Sequence, residues 1–66
     1  MSTARVIEVV GQSTEGFESA VKEAVRSVSE KIKNIKCVDV IKWTADVENG
    51  QLVRFRADCK ILYVEE

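Results

Sequence analysis

A chain of 66 residues with a net charge of −1, two cysteines and no histidine has room for one small domain, residues 1–66, and a core that buries only about 60% of the surface exposed by its unfolded form. Small folds commonly add disulfides, a metal or partner subunits; the cysteine and histidine counts argue against the first two, which leaves self-association as the expected source of stability. The mixed charges offer no basic stripe for nucleic acid, no apolar run approaches the ~18 residues of a membrane span, and Met1-Ser2-Thr3-Ala4-Arg5 lacks the apolar core of a secretion signal, so a cytoplasmic protein with reduced thiols is expected.

In chain order, Arg5-Val6-Ile7-Glu8-Val9-Val10 is rich in β-branched residues and reads as a strand ended by Gly11. Ser13 is then the expected helix N-cap, with Glu15 near the positive end of the dipole. Phe17, Ala20, Val21, Ala24, Val25, Val28 and Ile32 recur at helical spacing and predict one apolar stripe. Glu18, Lys22, Glu23, Arg26, Ser29, Glu30 and Lys33 lie between them as a solvated face, with Glu18 and Lys22 spaced for an ion pair. Asn34 is expected to end the helix, because asparagine tolerates the left-handed conformation.

The remainder reads as a hairpin turning at Asn49-Gly50, a pair suited to the positive φ angles of a type I′ turn. With those two residues as the loop, Val53, Phe55, Ala57, Cys59, Ile61 and Tyr63 alternate on one face and meet Val38 and Val40 across the ladder. The other face carries Cys37, Asp39, Ile41 and Trp43 from one strand and Arg56, Asp58, Lys60 and Leu62 from the next. In this simple register Asp39 opposes Lys60 and Trp43 opposes Arg56, pairings that a one-residue bulge would alter. Charge, a thiol and the single indole on one face suggest a subunit interface or the wall of a ligand pocket.

A strand, a returning helix and a second strand leave those two strands parallel, so the third fits between them. The fold class is therefore α+β: βαββ, with a three-stranded antiparallel sheet in the order 1-3-2 around one helix. Its open edges and uncovered face call for assembly.

Two runs carry a family resemblance. Val6-Ile7-Glu8-Val9-Val10-Gly11-Gln12-Ser13 with Gly16-Phe17-Glu18-Ser19-Ala20-Val21, and Val38-Asp39-Val40 with Asn49-Gly50 and Phe55-Arg56-Ala57-Asp58-Cys59-Lys60-Ile61, together resemble the dodecin family in order and spacing. The resemblance implies a hollow homo-dodecamer that binds and stores small molecules, typically the flavins riboflavin and FMN, and is not an enzyme. In that family two flavins stack between tryptophans, and a glutamine of the last strand bonds to the ring. Cys37 stands at the tryptophan position and Arg56 at the glutamine position. A thiol has no aromatic face, and a guanidinium donates hydrogen bonds but accepts none, so weak flavin binding or none is expected. Trp43 is six residues along the strand from Cys37, roughly 20 Å at strand rise, and does not replace the missing ring.

By family position the candidate ligand residues are Cys37, Arg56, Trp43, Asp39 and Asp58. Arg56 is shaped for a phosphate or carboxylate, with pairing to an aspartate or to Trp43 as the plainer reading. Asp39, Asp58 and Glu8 offer the oxygens that calcium takes. A structural oligomer, or a calcium- or anion-binding shell without flavin, is thus the alternative function. Cys37 either fills space or lines a ligand, while Cys59 belongs to the core and lies on the opposite face. The absence of histidine and of an assignable carboxylate pair for acid–base chemistry points away from an enzyme.

Overall fold

The structure, a computed structural model, describes residues 2–65. Strand β1 spans Thr3–Ser13, helix α1 Phe17–Ser29, strand β2 Ile35–Glu48 and strand β3 Gln51–Glu65. The three strands form one sheet in the order β1-β3-β2, with both pairings antiparallel. This is the βαββ topology that the hydrophobic patterning predicts.

Gly11 does not end β1; the strand runs through it to Ser13, with Gly11 opposite Ala57 and Ser13 opposite Phe55. The glycine serves a close approach instead. A Cβ at this position would stand 2.0 Å from the Ala20 carbonyl oxygen and 2.9 Å from the Ala24 Cβ. Ala20, Ala24 and Ala57 are all buried around it, so small residues on both sides let the helix backbone lie directly on the sheet.

Ser13, expected as the N-cap, is the last residue of β1, and its Oγ accepts the Glu15 N–H at 2.9 Å. The helix is capped by Gly16, without a side-chain bond. At the other end the helix stops at Ser29, earlier than Asn34. The N–H groups of Lys31 and Ile32 both converge on the Val28 carbonyl at 3.1 and 2.9 Å, which tightens the last turn and folds Ile32 back onto the core. Asn34 does adopt the left-handed conformation, φ 63°, but it uses it to enter β2, and its carbonyl accepts the Val64 N–H at 3.1 Å.

The β2–β3 loop is the two-residue turn that the sequence predicts. Asn49 and Gly50 have φ of 54° and 76°, and Glu48 faces Gln51 beside them. On the solvated side of α1, Lys22 reaches Glu18 at 3.3 Å, and Arg26 bridges Glu23 and Glu30. The core is small: Ala20, Ala24 and Val28 from the helix meet Ala57, Cys59 and Ile61 from the central strand.

The ladder between β2 and β3 is interrupted between Ile35 and Cys37, Val40 and Lys42, and Asp46 and Val47. Val38 and Val40 face Ile61 and Cys59, and Asp39 faces Lys60, as the simple register requires. Ile41 is then an extra, unpaired residue. Beyond it each β2 residue meets a partner one position later, so that Lys42 faces Asp58, Trp43 faces Ala57 and Thr44 faces Arg56. Val53, expected in the alternating core row, is left unpaired where the register is restored near the turn.

Candidate functional site

Opposed residues in an antiparallel ladder share a face, so the register assigns each side chain. The face away from the helix carries Arg56, Asp58, Lys60 and Leu62 of β3, flanked by Gln12, Val10, Glu8 and Val6 of β1 and by Thr44, Lys42, Asp39 and Cys37 of β2. Of the sequence-derived candidates, Cys37, Asp39, Arg56 and Asp58 lie there. Trp43 does not. The bulge at Ile41 turns Trp43 to the helix side, opposite Ala57. Its ring packs edge-on against Phe17 at 5.2 Å, and Phe17 packs likewise against Phe55 at 4.9 Å.

At one end of the outer face, Arg56 is held from both neighbouring strands. Its Nε donates to Gln12 Oε1 at 3.0 Å, while Nη1 and Nη2 donate to Asp46 Oδ1 and Oδ2 at 2.8 and 3.0 Å. This is a bidentate guanidinium–carboxylate pair. Asp46 is held below the usual carboxylate range, first by the hydrogen bond from Arg56 and then by the charges of Arg56 and Arg54. The same bond raises Arg56. The Arg54 guanidinium stands at 3.6 Å from Asp46 Oδ2, a longer contact with a single oxygen. The partner of Arg56 is therefore Asp46, and neither Asp58, Asp39 nor Trp43. In the unbulged register Asp46 would oppose Val53 and face the core; the shift at Ile41 places it opposite Arg54, on the same face as Arg56.

The middle of the face holds two carboxyl groups, Glu8 of β1 and Asp58 of β3, set diagonally across the ladder with Glu8 opposite Lys60 and Asp58 opposite Val10. Glu8 is raised from its ordinary 4.5, chiefly by the bond to Asp58 and then by its charge and by burial, with Lys60 acting in the opposite sense. Asp58 Oδ1 is buried and has no hydrogen-bond partner among the described residues. A neighbouring like charge disfavours the ionised form of Glu8. Lysines face the pair from both sides, with Lys42 opposite Asp58 and Lys60 opposite Glu8. Asp39, the third candidate oxygen ligand, faces Lys60 and does not join them. Among the described residues no group of three or more His, Cys, Asp or Glu side chains is close enough to hold a metal ion.

Cys37 stands toward the far end, opposite Leu62, as an exposed free thiol. Leu62 is six residues along β3 from Arg56, so roughly 20 Å separates the two candidate positions within one subunit. Cys59 is buried in the core with its thiol pushed up by burial and, secondarily, by the charge of Asp58. A cleft of about 330 Å³ lies elsewhere, lined by Lys31, Ile32, Lys33, Asn34, Tyr63, Val64 and Glu65, and includes none of the candidate residues. Large apolar side chains stand open on the subunit at Val6, Val10, Ile41, Trp43, Val47 and Leu52, with exposures from 47% to 62%. Among the described residues no helix is long and apolar enough to cross a membrane.

With this geometry in hand, comparison with known proteins is informative. The Dodecin family model matches residues 3–66. A dodecin structure from Streptomyces coelicolor superposes with a TM-score of 0.92 at 31% identity, covering 98% of this chain and 93% of that one. Dodecin from Streptomyces davaonensis gives 0.90 at 23% identity, with coverages of 98% and 96%. The calcium-chelating antigen calcium dodecin from Mycobacterium tuberculosis, described with a calcium-binding site, gives 0.83 at 22% identity, with coverages of 97% and 91%. No curated protein matches.

Proposed function

Because the chain belongs to the dodecin family, we propose that it is a non-enzymatic shell protein, a homo-dodecamer with small-ligand sites, that binds flavin weakly or not at all. Assembly is supported by the bare subunit itself. A six-residue buried core is little for a free-standing fold, while Val6, Val10, Val47 and Leu52 are each more than half exposed. Burying such side chains against neighbours contributes roughly 1.5–3 kcal/mol each when complete.

The observation that carries the ligand reading is that no aromatic side chain among the described residues lies on the outer sheet face. Cys37 occupies the position of the family's stacking tryptophan, Trp43 is turned to the helix side, and Arg56 is tied to Gln12 and Asp46. Flavin recognition by stacking has nothing to use. Native mass spectrometry of the purified protein tests both parts of the proposal. A dodecamer without flavin mass or flavin absorption is expected; a stable monomer of 7.4 kDa, or a shell that retains flavin through purification, contradicts it.

The buried Asp58 Oδ1, which has no hydrogen-bond partner among the described residues, favours a second reading, in which symmetry-related carboxylates of the shell take up calcium. Calcium requires six to eight oxygens, so copies from several subunits have to contribute. Calcium-dependent mass adducts that disappear in Asp58→Asn support it, and identical spectra with and without calcium refute it.

A further inference from the structure

Arginine at the glutamine position invites the expectation of an anionic ligand, but the structure answers the charge from within the chain. Asp46 makes two bonds of 2.8 and 3.0 Å to the outer nitrogens of Arg56, and Gln12 takes its Nε at 3.0 Å. Arg56 and its two partners come from three different strands, so the guanidinium is held across the whole width of the sheet. We propose that Asp46 is a specificity-determining residue: a built-in counter-ion that occupies Arg56 and keeps phosphate- and carboxylate-bearing ligands off this end of the outer face.

The argument is one of competition. An incoming oxyanion would have to replace a carboxylate that already presents the same two-oxygen fork to the same guanidinium. The exchange gains little electrostatically, because one anion substitutes for another. It also loses on concentration. A tethered competitor acts at an effective concentration in the millimolar range or above, and the sheet holds Asp46 in place. Arg56 has a side-chain exposure of 32% and Asp46 one of 39%, so the pair is open enough for solute to reach it but already satisfied. Arg54 keeps a single 3.6 Å contact with Asp46 and does not supply a second fork.

This inference rests on the reading of the outer face as a ligand surface and narrows the ligand class to molecules that carry no oxyanion at Arg56. Its test uses inorganic phosphate as the probe. Thermal unfolding of the full chain is measured in phosphate and in chloride at matched ionic strength, for the unmodified protein, Asp46→Asn and the double variant Asp46→Asn/Arg56→Gln. The unmodified protein is expected to melt at the same temperature in both salts. Asp46→Asn is expected to melt about 4–8 °C higher in phosphate once phosphate is roughly fivefold above its dissociation constant, and the double variant to lose that shift.

A phosphate shift in the unmodified protein equal to that of Asp46→Asn would show Arg56 to be available and overturn the proposal. So would a shift that persists in the double variant, which would assign the anion to Arg54 or another cation. Should Asp46→Asn fail to assemble, ³¹P line broadening on the unmodified protein and on Arg56→Gln decides: equal narrow lines are expected, and broadening abolished by Arg56→Gln refutes the claim. Native mass spectra recorded alongside report the shell separately, so loss of assembly is distinguishable from a wrong assignment of Asp46.

Discussion

The two faces of the sheet are built by opposite rules. The helix-covered face is assembled from small residues in contact, with Gly11 under Ala20 and Ala24, so its geometry tolerates little change. The outer face is assembled from charges answered by neighbours on adjacent strands: Arg56 by Asp46 and Gln12, Glu8 by Lys60, Asp58 by Lys42. Steric constraint decides the fold on one side. Charge pairing organises the other, and a change there is expected to alter selectivity and pH response more than stability.

The sharpest way to break this contrast is a single methyl group. Gly11→Ala puts a Cβ 2.0 Å from a backbone oxygen that cannot move independently of the helix. Overpacking typically costs about 1–3 kcal/mol, occasionally more, and this site is expected at or above the top of that range. Denaturant unfolding of the variant checks it; an unchanged midpoint would mean that the helix is not seated as described.

Next in size is Trp43, whose position depends on the bulge at Ile41. If it packs on Phe17, Trp43→Leu loses an aromatic contact worth about 0.5–1.5 kcal/mol, and Phe17→Leu loses a similar amount. Both together should cost less than the sum, because the two single changes remove the same contact. Full additivity in a double-mutant cycle would put Trp43 back on the outer face.

These two positions also mark where the sequence was legible and where it was not. The Asn49-Gly50 turn was legible because its requirement is local: two consecutive positive φ angles. The helix stripe is legible because six apolar residues from Phe17 to Val28 keep one period; Ile32, the seventh of the expected stripe, lies past the helix end at Ser29. Gly11 is not legible, since a glycine that ends a strand and one that admits a helix look alike until the two elements are brought together. The bulge at Ile41 has no local signature, and it moved Trp43 off the outer face and brought Asp46 onto it. Glu8 and Asp58 become diagonal neighbours only through the β1–β3 register. No short turn joins those strands, so no turn chemistry sets their alignment.

The two carboxylate systems of the outer face should respond to pH with opposite signs. Glu8 is raised in the folded chain, so its contribution is fully present below its ordinary 4.5 and is lost as pH rises through the higher folded value. Asp46 is depressed from its ordinary 3.8, so its contribution is present above that value and is lost as pH falls through the lower folded one. Glu8→Gln should therefore flatten the loss of stability on the way up from pH 4.5, and Asp46→Asn should flatten the acid limb. Melting temperature against pH checks both. Identical profiles for Glu8→Gln and the unmodified protein would mean that Glu8 is not raised in the folded protein.

The smallest effect belongs to the exposed helix surface, where the Glu18–Lys22 pair at 3.3 Å is worth a few tenths of a kcal/mol. Glu18→Gln should shift the denaturation midpoint barely beyond error and lose even that shift in high salt.

The central claim is that the dodecin fold is kept here while the aromatic flavin clamp is not, and FMN titration followed by flavin fluorescence tests it most directly. The unmodified protein should quench FMN little or not at all, whereas Cys37→Trp/Arg56→Gln, which restores the stacking ring and the amide, should quench it strongly and bind it tighter. Strong quenching by the unmodified protein, unchanged by the double substitution, would contradict the account.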